Sequence, residues 1–197
     1  MKNPNHPKKG SRITVDPIRK VKDIKSIQKM LNNTHRDYLL FTMGINNGLR
    51  TGDLLKLTVN QVSDLKPGQH ITIRESKTGK DNILVINKAV HKALRNYMDY
   101  LQPEPEDFLF ASRKGNKPLT IQAVNLLLKK WTRAINLRGN YGAHTLRKTW
   151  GYIQRVKYGV GFEVVAKRYN HSNPAVTMRY LGIQDKEVRG CLMNEIG

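Results

Sequence analysis

The chain has 197 residues, 39% hydrophobic and 25% charged, which is enough for one ample core and too apolar for a disordered segment. Thirty-five Lys and Arg against fifteen Asp and Glu leave a formal charge of +20, so the leading partner is a polyanion, with nucleic acid ahead of a ribosomal or anionic membrane surface. The single cysteine, Cys191, excludes an internal disulfide framework, no apolar run approaches a membrane span, and no export signal is visible, so the expected compartment is the cytoplasm.

Residues 1–22 hold three prolines and seven Lys or Arg against one Asp, without apolar periodicity, and read as a flexible basic arm. Helical spacing starts at Asp23, an N-cap residue type, with Ile24, Ile27, Met30 and Leu31 on one face. Thr34 and Asp37 have the spacing of a capping box. The helix they open is apolar on several sides through Tyr38, Leu40, Phe41, Met43 and Ile45, which makes it central to the core. Asn47-Gly48 ends it, and a short helix follows in "RTGDLLKLT". The period then changes to two. "HITIRES" alternates, "DNILVIN" is a β-rich apolar run, and "KTGK" between them reads as a hairpin turn. A third strand is expected at about residues 61–65. Helical patterns resume over 88–101, 120–136, 145–158, 162–169, 174–181 and 185–196, with "PEPED" as a loop and "FLFAS" as a short extended segment. The expected fold class is α+β: a mostly helical domain over residues 23–183 with a small three-stranded antiparallel sheet, an arm before it and a C-terminal helix or tail at 184–197.

Four short stretches carry side chains suited to phosphate chemistry. In "HTLRKTW", His144 and Arg147 stand three apart and share a helix face, while Leu146, Trp150 and Ile153 take the buried one. A guanidinium beside an imidazole repels a metal cation but suits phosphate oxygens, since both donate. In "GLRTGDLLKL", Arg50 follows a glycine turn at a helix start, with Asp53 three residues on and able to orient it. Lys77 stands on the hairpin turn, where a mobile ammonium can protonate a leaving oxygen. In "NHSNPAVTMRYLG", His171 precedes a cap-and-proline helix start that projects Tyr180 about two turns later. Taken singly, each has a plain structural reading: a surface helix, a salt bridge, a solvated turn lysine, a packed tyrosine. Together they form a set for attacking a phosphodiester without a metal. A free phenol has a pKa of ~10, so such a nucleophile needs a neighbouring base and positive charge. There is no GxxxxGK[ST] phosphate loop and no cluster of carboxylates at these positions, so nucleotide-triphosphate chemistry and a metal nuclease find no support.

The ordered set resembles the catalytic domain of the tyrosine recombinases, the phage integrase family. "GLRTGDLLKL" is similar to its first arginine box, "ESKTGKDNILVI" to its hairpin lysine, "HTLRKT" to its His-x-x-Arg box, and "NHSNPAVTMRY" to its closing histidine-to-tyrosine segment. The likeness runs over residues 21–182. It implies that Tyr180 attacks the scissile phosphate to give a 3′-phosphotyrosyl link and a free 5′-hydroxyl, and that Arg50 and Arg147 clamp the phosphate. It further implies that Lys77 is the general acid, that His144 assists proton removal from Tyr180, that His171 hydrogen-bonds the phosphate and that Asp53 supports Arg50. No cofactor, metal or nucleotide is implied. The partners implied are double-stranded DNA and further copies of the chain, from dimer to tetramer. The chain departs from the family pattern in three places. "YN" stands where Leu-Gly is usual before His171, and Lys148 replaces a frequent histidine. Helix-forming sequence also begins at Asp23 with no DNA-clamping domain ahead of it. Such a chain is either an excised catalytic domain or a short recombinase whose basic arm replaces the clamp. Two other readings share these residues: a type IB topoisomerase-like relaxase, and a DNA-binding module with an inactive site.

Overall fold

The computed structural model describes residues 14–113, 115, 117–182, 189–190 and 192–195. The chain runs through α1 (Val21–Leu31), α2 (His35–Asn47), α3 (Thr51–Leu54), β1 (His70–Arg74), β2 (Asp81–Val85), α4 (Lys88–Leu101), α5 (Ile121–Ala134), α6 (Ala143–Tyr158), α7 (Phe162–Tyr169) and α8 (Pro174–Leu181). It is an α+β fold, helical apart from one hairpin. α2 is the central post: Leu39, Leu40, Phe41 and Met43 are fully buried, and α4 and α6 pack on it from different sides. Gly44 lets α6 come close, because a Cβ there would lie 2.7 Å from the Leu146 side chain. The Trp131 ring of α5 meets Phe41 edge-on at 5.9 Å, closing the core on that side. Within α1, Ile27 and Leu31 are buried while Met30 of the expected stripe is largely exposed.

The helix ends follow local chemistry in most places. Asn87, Thr120 and Asn173 cap α4, α5 and α8 by accepting from Val90, Ala123 and Val176 N–H. Gly48 ends α2 with φ 62°. Thr34 does not form the expected capping box: its hydroxyl donates to Leu31 O, and Asp37 accepts from Arg36. Asp23 lies inside the first turn of α1 instead of capping it.

Among the described residues the sheet has two strands, not three, with Arg74 opposite Asp81 and His70 opposite Val85. The third strand expected at residues 61–65 is a run of turns. Val59 and Val62 are both buried, three residues apart, and Val62 and Ser63 N–H donate back to Val59 O. The expected stretch holds one buried valine, Val62, which by composition alone suits a turn as well as a strand. The extended "FLFAS" stretch pairs only through isolated bridges, Thr58 with Phe108 and Ala111 with Pro118.

Of the basic arm expected over residues 1–22, the part from Thr14 onward is held on the domain. Asp16 N–H donates to Asn140 O at 2.7 Å, Ile18 N–H donates to the Thr149 hydroxyl at 2.9 Å, and Ile18 is fully buried. One buried apolar residue in an extended segment leaves no periodicity to read. Residues 1–13 lie outside the described residues, as does half of the expected C-terminal helix at 185–196. No described helix is long and apolar enough to cross a membrane.

Candidate active site

Arg50 stands at the N-cap of α3, in the extended conformation that follows the Gly48 turn. Arg147 lies one turn further into α6 than His144. Both guanidiniums meet the fully buried carboxylate of Glu75, at the foot of the hairpin turn. Arg50 Nη1 pairs with Oε2, and Arg147 Nη1 lies 3.8 Å from Oε1. Arg147 also donates to Gly48 O at 3.0 Å and to Tyr169 O at 2.7 Å, which fixes its fork. Burial alone would raise the Glu75 pKa, but the polar groups of Thr78, Asn170, Asn82 and Arg50 outweigh it and bring it down to about 2. Glu75 is therefore an anion between two cations.

Asp53 does not reach Arg50. Its Oδ1 accepts from Ser76 N–H at 3.0 Å and from the Ser76 hydroxyl at 2.7 Å, tying α3 to the residue before Lys77. The carboxylate that pairs with Arg50 is thus Glu75 and not the expected Asp53, which instead anchors the lysine turn. A cleft of about 600 Å³ opens between α3, this turn and the start of α6, with Arg50, Lys77 and His144 in its wall. A second cavity of about 500 Å³ is lined by His144, Lys148, Arg179 and Tyr180, so His144 borders both. The shielded side of its ring, with Arg147, Lys77, Arg50 and Lys148 nearby, lowers the His144 pKa. Neutral imidazole can accept a proton.

His171 follows α7 through Asn170, whose φ of 52° supplies the left-handed turn that glycine usually provides. Its Nδ1 shares a hydrogen bond with the Thr177 hydroxyl at 2.9 Å. Burial and the Arg147 and Arg50 charges bring its pKa down to about 4, so this ring too is neutral near pH 7. The Tyr180 ring meets it edge-on at 5.4 Å. The Tyr180 hydroxyl is buried without a hydrogen-bond partner among the described residues, and burial lifts its pKa to about 12, against the pull of Arg147 and Arg50. The six side chains expected to act on phosphate, Arg50, Lys77, His144, Arg147, His171 and Tyr180, converge on one region, with the Tyr180 hydroxyl hydrogen-bonded to neither histidine.

Three residues of this region were not among the expected set. Glu75 is hidden in the sequence because a carboxylate beside a hairpin turn is ordinarily solvated. Tyr169 underlies the site: its ring lies 4.4 Å from the Arg147 guanidinium and edge-on to Tyr180 at 5.5 Å, and its hydroxyl donates to Arg147 O at 2.5 Å. Lys148 is buried, with Nζ 4.8 Å from the Tyr180 ring centre. The only signals for these two were the departures "YN" and Lys148 themselves.

Comparison with known proteins matches residues 19–187 to the Phage integrase family. The chain is 35% identical over 178 residues to a probable integrase/recombinase, YoeC, of Bacillus subtilis (strain 168), spanning 89% of this chain and 93% of that protein. It is 29% identical to tyrosine recombinase XerC of Caldanaerobacter subterraneus subsp. tengcongensis, over 84% of this chain and 48% of that one. Against several of its curated relatives, then, the chain spans about half their length. Its fold superposes on a crystal structure of XerA recombinase with a TM-score of 0.74 at 19% identity, covering 94% of this chain and 68% of that one. It also superposes on a lambda integrase dimer bound to a COC′ core site, with a TM-score of 0.64 at 18% identity, over 87% and 49% of the two chains. The ordered boxes, the fold they build and the match over residues 19–187 make this chain a member of the phage integrase family of tyrosine recombinases.

Proposed function

We propose that this chain breaks and rejoins DNA strands through a covalent bond between Tyr180 and a 3′-phosphate, serving the integration, excision or resolution of mobile DNA in the cytoplasm. The observation that carries the proposal is the convergence of two guanidiniums, two neutral imidazoles, a turn lysine and a phenol around adjoining cavities. In the step proposed, the phenol oxygen of Tyr180 bonds to phosphorus and its proton passes to His144. The bond from phosphorus to the 5′-oxygen breaks, and Lys77 gives that oxygen a proton. Arg50 and Arg147 offset the charge that builds on the phosphate, and His171 donates to one of its oxygens. Asp53 acts at one remove, by holding the turn that carries Lys77. The bond energy stays in the phosphotyrosyl link, so reversal by a 5′-hydroxyl rejoins a strand. Recombination further needs copies of the chain paired on DNA, and the names of similar proteins, a recombinase and an integrase dimer on a core site, support that arrangement.

The test is capture of a covalent adduct from a library of nicked duplexes with randomised cores, in which the released strand diffuses away. An SDS-resistant protein–DNA species is expected, lost in Tyr180→Phe while DNA binding persists. Adduct formation that survives in that variant would move the nucleophile elsewhere. Binding without any adduct would leave a DNA-binding module.

A further inference from the structure

We infer that Glu75 is a positioning residue that sets the charge of the arginine clamp and joins it to the turn carrying Lys77. Two guanidiniums that share one phosphate repel one another, and Arg50 does lower the Arg147 pKa, after burial. Glu75 answers that repulsion from inside: it is fully buried, pairs with Arg50 through one oxygen and faces Arg147 at 3.8 Å through the other. With Glu75 ionised, Arg50 and Arg147 together present one net positive charge to the cleft, the complement of one phosphodiester. The extra charge of the transition state then falls to Lys77, which comes from the same turn. Glu75 is built into that turn: Thr78 donates to its Oε2 at 2.7 Å, Gly79 N–H to its carbonyl at 2.8 Å, and Asn82 to its Oε1 at 3.0 Å. Asn82 in turn donates to Arg168 O at 3.1 Å, at the end of α7 just before His171. The carboxylate therefore holds clamp, lysine turn and histidine helix in one register.

A part that merely supported the fold would, when removed, weaken phosphate binding and cleavage together. The charge role predicts opposite signs. Neutral Glu75→Gln or Glu75→Met leaves the clamp with two uncompensated positive charges, so inorganic phosphate, followed by calorimetry on the full chain, binds roughly tenfold more tightly. Arg147→Ala removes that gain. Glu75→Asp keeps the charge and returns affinity toward the parent. The second arm rests on the strand-breaking reading: on a duplex recovered from the nicked library, the neutral variants form adduct roughly tenfold or more slowly, because Arg50 and the Lys77 turn lose their common anchor. Phosphate affinity that is unchanged or weaker in a folded neutral variant overturns the inference, as does tighter binding with undiminished cleavage. Failure of both neutral variants to melt cooperatively reduces Glu75 to a structural role and overturns it as well. A parent chain that forms no adduct, beside a phosphate arm that behaves as expected, strikes the strand-breaking reading and leaves the charge assignment standing.

Discussion

His144 and His171 are both displaced downward by burial and by the guanidiniums beside them, and this is measurable as acid sensitivity. His171 is held near 4 instead of 6.5. The unfolded chain takes up a proton on this imidazole below 6.5, while the folded chain resists until about 4, so the unfolded state binds more protons across that window. The contribution to stability is complete above 6.5 and is lost as pH falls toward 4. For a partly buried ring this is on the order of 1–3 kcal/mol. Glu75, brought down to about 2, adds a second loss that begins only below its ordinary 4.5. Thermal unfolding should therefore show a drop between pH 7 and 5 that is much smaller in His171→Gln. Parallel pH curves for the two proteins would show that His171 titrates normally. The pattern of residues told which imidazoles to suspect, because the spacing of His144 from Arg147 and of His171 from Tyr180 is local. Glu75 and Tyr169 escaped, since what makes them matter is contact with Arg147, 72 and 22 positions along the chain.

At the scale of elements, the helices were legible wherever one face is apolar and the ends carry caps. α4, α7 and α8 fall at their expected bounds, whereas the third strand failed because its one buried valine, Val62, suits a turn as well as a strand. The pairing of α6 with α7 could not be read at all, because it depends on a small residue meeting a large one. A Cβ at Gly151 would lie 2.2 Å from the Tyr169 hydroxyl and 2.9 Å from its ring carbon. Tyr169 occupies the position before Asn170 where family members usually carry leucine, so glycine in α6 is the counterpart of the larger ring. Gly151→Ala is expected to destabilise by about 1–3 kcal/mol through overpacking. Tyr169→Leu alone should also destabilise, by opening a void and deleting the bond to Arg147 O. The double variant should lose less than the two added together, with a coupling on the order of 1 kcal/mol in urea unfolding. Strict additivity would show that the two helices do not meet through this pair.

For the whole molecule, the question is where DNA affinity would come from. The formal charge is +20, yet the clamp contributes little of it, because Glu75 cancels one of the two guanidiniums. Affinity should then arise mostly from exposed Lys and Arg that neutralise phosphates outside the site and release counterions. If six phosphates are neutralised, the slope of log affinity against log salt is about −5, and binding weakens roughly a thousandfold between about 50 and 200 mM salt. Arg147→Ala should hardly change that slope, by at most about one unit, while cleavage collapses. Surface lysine-to-glutamine changes should flatten the slope and leave the cleavage rate of bound DNA intact. Titrating fluorescent duplex at several salt concentrations separates the two. A flat response in the parent chain would remove the basic surface from DNA binding. A slope that falls by several units in Arg147→Ala would place the affinity in the clamp, against the charge balance that Glu75 creates there.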